Sequence, residues 1–121
     1  MNDRERLGQV RAALEEEERR RPWLNVGSDP PTDLPRVLWC GWETKTAADT
    51  VREQAHVRLD LSADSVILQT SNVEEDLDDD VERLYPFDLN DGFTFDRTTY
   101  KSPVGFARHL LRVLGGPPTD G

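Results

Sequence analysis

Acids dominate the side chains of this 121-residue chain that could do chemistry. The densest set is Glu74, Glu75, Asp76, Asp78, Asp79 and Asp80. Such carboxylates are natural ligands for a hard cation. A calcium loop of the EF-hand type needs acids at positions one, three and five, glycine at six and glutamate at twelve. Counted from Asp76, position six is Val81 and position twelve is Phe87. Counted from Asp88, glycine falls at five and Thr99 at twelve. Neither frame fits. Six like charges in seven positions repel one another and must face water, so the stretch reads as a solvated loop.

A second set is Asp33 with Glu43-Thr44-Lys45. Two carboxylates can hold a magnesium ion while a lysine activates water or steadies the developing charge. A small metal-dependent hydrolase or nuclease using Asp33, Glu43 and Lys45 is therefore the alternative function. Two things oppose it. The pattern calls for the aspartate and the Glu-x-Lys on adjacent strands, and a net charge of -9 repels nucleic-acid phosphate. Glu-x-Lys also arises readily by chance in a chain that is 32% charged.

Nucleophilic catalysis finds no frame. No serine sits in a Gly-x-Ser-x-Gly elbow. His56 and His109 fall on polar faces and read as surface histidines. Gly115-Gly116 closes a helix, whereas a phosphate cradle precedes one. Cys40 is the one cysteine, which excludes an intrachain disulfide and a multi-cysteine zinc site. Its apolar neighbours Val37, Leu38 and Trp39 make it a buried structural thiol. No cofactor is expected.

Binding needs no motif. Trp39 and Trp42 lie in a strand that is apolar on both faces, and aromatic side chains are favoured interface anchors. The competing reading places both in the core. The expected function is thus a small acidic, non-catalytic protein-binding module, an inhibitor or immunity-type protein or a subunit of a larger assembly. The binding residues are Trp39, Trp42, Glu74, Glu75, Asp76, Asp78, Asp79 and Asp80. The expected partner is a protein with a basic surface. Nucleic acid and anionic membrane are disfavoured by charge. No apolar run approaches membrane-span length, and charged residues begin at Asp3, so the expected location is the cytoplasm.

The elements that must position these residues follow from periodicity. Val51, Ala55, Val57, Leu59 and Leu61 alternate with Arg52, Gln54, His56, Arg58 and Asp60, as a half-buried strand requires. Val66, Leu68 and Thr70 continue the pattern on a second arm. Shared faces pair Leu61 with Val66, Leu59 with Leu68 and Val57 with Thr70. A four-residue loop, Ser62 to Ser65, suits this hairpin better than the two-residue Ala63-Asp64. The polar arm is a local basic island, expected to meet the acidic loop of this chain or of a second copy. Arg36 to Thr44 forms the preceding strand, and Lys45 to Asp49 the turn between them; a short helix over 46–54 is the alternative there.

Residues 2–21 read as a helix capped by Asn2 or Asp3, with a narrow stripe of Leu7, Val10 and Leu14. That stripe docks on the domain or pairs with a second copy. Trp23, Leu24 and Val26 pin a linker to the core, and residues 27–35 form a proline-rich loop. Residues 71–83 read as a loop, Asp91-Gly92 as a hairpin tip, and Phe93 to Thr99 as a last strand. Ser102 caps a final helix that starts at Pro103 and stops at Gly115-Gly116. The fold class is α+β: an N-terminal helix, an antiparallel sheet of four to five strands in meander order, and a C-terminal helix packed on the sheet. Residues 1–21 form the charged helix, 22–116 a single domain and 117–121 a tail.

Overall fold

Alternation of Ala55, Val57 and Leu59 with His56 and Arg58 demands a strand with one dry and one wet face. In the structure, a computed structural model, that strand lies within a seven-stranded antiparallel sheet. Residues 2–45, 47–49, 51–72 and 81–117 are described. The order is α1 (Asp3–Arg20), β1 (Asn25–Asp29), β2 (Val37–Lys45), β3 (Val51–Asp60), β4 (Ser65–Asn72), β5 (Val81–Asp88), β6 (Phe93–Phe95), β7 (Thr98–Tyr100) and α2 (Pro103–Leu114). Every strand pairs with the next in the chain. The α+β class and the meander order hold. The strand count is seven where four to five were expected.

The extra strands have identifiable causes. Asn25–Asp29 was expected to be linker and loop, but it pairs along β2, Val26 opposite Cys40. Its short, polar sequence carries no strand period. Phe93 to Thr99 is not one strand but two. The chain reverses at Asp96 and Arg97, whose φ values are 48° and 71°. Such a turn usually announces itself through glycine or asparagine; here it does not. β5 begins at Val81, inside the expected loop.

The β3–β4 hairpin keeps the expected faces and a four-residue loop, but the loop is Leu61 to Asp64. Val57 therefore faces Leu68, and Ala55 faces Thr70. Asp60 fixes this register. Its carboxylate accepts from the Ser62 amide at 2.9 Å and hydroxyl at 2.7 Å, and its carbonyl accepts from Ala63 N at 2.9 Å. An aspartate that bonds two residues ahead starts a turn, so the strand ends one residue early and Leu61 moves into the loop. The alternative helix over 46–54 does not form, since β3 starts at Val51.

Both helices pack on the same face of the sheet and on each other. Asn2 caps α1 by accepting from Glu5 N at 2.8 Å. Leu7, Val10 and Leu14 are fully buried in the shared core with Leu38, Cys40, Val57 and Val66. The stripe is therefore covered within the chain, and it is not left exposed for a second copy. Phe106 and Leu110 of α2 complete the layer, with Phe106 edge-on to Phe95 at 5.6 Å. Ser102 and Gly115 bound α2 as expected.

Hydrogen bonds tie the β1 edge to α1. The Val26 amide on β1 donates to the Glu18 carboxylate at 2.7 Å. The turn between β1 and β2 rests on α1: Arg4 Nε donates to Leu34 O at 3.1 Å and Arg11 Nη1 to Thr32 O at 2.7 Å. The Asp33 carbonyl approaches Gly8 so closely that a Cβ there would overlap it.

Candidate functional site

One sheet face carries the helices, and the other carries none of the described elements. Strand alternation decides which side chains occupy it. Leu38, Cys40 and Trp42 point to the core, whereas Val37, Trp39 and Glu43 point outward. The register places one outward row across five strands: Gly27, Trp39, Arg58, Ile67 and Leu84. The next row is Asn25, Gly41, His56, Gln69 and Glu82.

Trp39 is 40% exposed and Leu84 60%, a large apolar exposure for one row. The Trp39 indole lies against Gly27, where any side chain would collide with the ring. Glycine at this position lets the ring lie down over β1. Beside it opens a shallow depression of about 540 Å³, bounded by Asp29, Val37, Trp39, His56, Arg58 and Gln69. Arg58 approaches Asp60 of its own strand at 4.0 Å, and His56 Nε2 lies 3.2 Å from Gln54 Oε1. The basic island is thus partly answered within β3.

The tryptophan pair expected to act together is divided. Trp42 is 8% exposed and belongs to the core. Adjacent strand positions three apart point to opposite faces, so the two rings cannot share a surface. Glu74, Glu75, Asp76, Asp78, Asp79 and Asp80 lie outside the described residues. Their segment joins β4 to β5.

The alternative catalytic set is not gathered. Lys45 Nζ lies 3.9 Å from Glu43 and 3.4 Å from Asp49. Asp33 sits in the turn before Val37, at the opposite end of β2. The strand between Val37 and Glu43 spans about 20 Å at about 3.3 Å per residue. A metal bridge between Asp33 and Glu43 would need a few ångströms. Among the described residues, no three His, Cys, Asp or Glu side chains cluster as metal ligands do.

Sequence reasoning missed one polar cluster. His109, expected at the surface, is half-buried and edge-on to Phe95 at 4.5 Å. Tyr100 Oη lies 2.8 Å from His109 Nδ1, and Arg112 Nη2 donates to the same oxygen at 3.1 Å. Arginine only donates, so the phenol oxygen accepts from Arg112, and the direction of the Tyr100–His109 bond follows the imidazole tautomer. Burial and the Arg112 charge both push the His109 pKa down, while Asp96 opposes them. The signal was present: His109 follows Phe106 by three and precedes Val113 by four, on the shoulder of the apolar face.

Two other groups are perturbed. Burial pushes the Cys40 thiol up to about 12, which leaves it an unreactive core side chain. The Ser62 hydroxyl and amide hold the Asp60 carboxyl below its ordinary value. Among the described residues, no helix is long and apolar enough to cross a membrane. Comparison with protein-family models, with curated proteins and with solved structures finds no match.

Proposed function

We propose that this chain is a small acidic, non-catalytic protein-binding module, and that the sheet face carrying none of the described helices is its docking surface. The observation that carries this is the half-exposed Trp39, laid over Gly27 in one row with Ile67 and Leu84. Aromatic anchors bordered by polar side chains are the usual energetic centre of an interface. The occupant is a protein with a basic surface. The net charge of -9 supports that choice, and the six acids of 74–80 supply much of it. Acidic side chains steer a basic partner and align it.

The test is a titration of the partner recovered by affinity capture, purified, against three forms of this chain. Trp39→Ala is expected to weaken binding tenfold or more, as anchor residues do. Replacing the six acids of 74–80 by their amides is expected to slow association and to remove its salt dependence. Unchanged affinity in Trp39→Ala sinks the docking surface. Unchanged association in the amide variant sinks the basic partner.

A further inference from the structure

We infer that a separate site, where the C-terminal ends of α1 and α2 meet, binds a small organic oxyanion: a phosphate or carboxylate carried on a planar ring. The pocket has a volume of about 370 Å³ and is lined by Arg21, Trp23, Arg108, Leu111, Arg112 and Gly116. That size lies within the range of small-molecule sites, about 300 to 1,000 Å³.

Three guanidinium groups in one small pocket call for an explanation in a chain of charge -9. Arg21 and Arg108 share one carboxylate, Glu17, with Arg20 outside the pocket; the Glu17 side chain is 9% exposed, and Arg20 Nη1 and Arg108 Nε each lie 3.9 Å from it. Arg112 leans on the uncharged Tyr100 hydroxyl. Three positive charges therefore face one negative charge among the described residues. Each helix C-terminus adds about half a negative charge, so the pocket keeps a net charge of about +1. The helix ends explain part of the arginine excess and leave the rest for a ligand.

Two of the arginines are also held by hydrogen bonds: Glu17 accepts from Arg21 and the Tyr100 hydroxyl from Arg112, while Arg108 stands 3.9 Å from the Glu17 carboxylate. Each guanidinium carries five N–H donors, and these contacts use only some of them. Groups ordered before binding lose less entropy on binding, and forked guanidiniums match the oxygens of phosphate and carboxylate. Trp23 and Leu111 supply an apolar wall. The wall selects a ring over a bare ion.

Titration with phenyl phosphate tests this, read from the indole N–H and arginine Nε–H resonances of the whole chain. Saturable shifts at Trp23, Arg108 and Arg112 are expected. Arg108→Gln and Arg112→Gln should each weaken binding about tenfold, the loss expected for one charge-assisted contact. Inorganic phosphate should bind more weakly than phenyl phosphate. Arg19→Gln is the charge control, because Arg19 lies on the same helix end, 75% exposed and outside the pocket. It should bind as the parent does. Three results overturn the site: no saturable shift, binding that survives both pocket variants, or an equal loss in Arg19→Gln. Equal affinity for phosphate and phenyl phosphate overturns the ring. The pocket variants are exposed arginines, and denaturation midpoints close to the parent's verify that they fold.

Discussion

Gly8→Ala sets two well-known effects against each other, and the geometry decides the sign. Alanine is favoured over glycine inside a helix by about 1 kcal/mol. Gly8 lies within α1, so propensity alone predicts stabilisation. The Asp33 carbonyl occupies the space that the new methyl needs. That oxygen belongs to backbone, so the β1–β2 turn must lift from the helix. Overpacking of this kind costs about 1 to 3 kcal/mol. Lifting the turn also weakens the bonds from Arg4 to Leu34 O and from Arg11 to Thr32 O, about 1 kcal/mol each. Even with only one of these lost, the balance is a net destabilisation of about 1 to 3 kcal/mol. For a urea slope of about 1.5 kcal/mol/M, the midpoint falls by about 0.7 to 2 M. Equilibrium urea unfolding followed by circular dichroism measures this directly. The exposed neighbour substitution Gln9→Ala should change stability by less than about 0.5 kcal/mol. A higher midpoint in Gly8→Ala would show that the turn does not bear on α1, and the argument would fail.

Leu14→Ala should lower stability by about 3 to 5 kcal/mol, because a fully buried leucine leaves a cavity between both helices and the sheet; a loss below 1 kcal/mol by urea titration would mean that α1 stands apart from the core. His109 has a depressed pKa when folded, so the unfolded chain binds its proton more readily. Its contribution is present above the ordinary value of 6.5 and is lost as pH falls through the folded value. Midpoints measured across that window should drop less in His109→Gln than in the parent. Ser62→Ala should return the Asp60 carboxyl toward its ordinary value, seen as an upward shift in its NMR titration. Gly27→Ala should displace the Trp39 ring and change its fluorescence while leaving the circular dichroism spectrum intact.

Periodic stretches declared themselves in the sequence. The β3 alternation, the α2 cap and stop, and the narrow α1 stripe are all local patterns, and each forms the expected element. What stayed hidden depends on neighbours distant in the chain. β1 exists because β2 offers Asn25–Asp29 a ladder, and no residue within those five advertises it. The Asp96-Arg97 reversal places arginine at positive φ where glycine usually sits. For the candidate site, the two apolar faces of β2 were legible, but not which tryptophan would stay outside. That choice is made by the helices, which cover the Trp42 side; among the described residues no element covers the Trp39 side. The Tyr100–His109–Arg112 contact joins a strand to a helix, and composition alone does not suggest it.

The pairing of strands in chain order has a kinetic side. Each ladder closes a short loop, so the sheet assembles through contacts that are near in sequence and quick to find. The helix pair is the exception. Residues 17 and 108 meet only after the whole meander lies between them. α1 and α2 thus act as a clasp on an otherwise local structure. Loosening the clasp, as by Glu17→Ala, should speed unfolding while the refolding rate stays nearly unchanged.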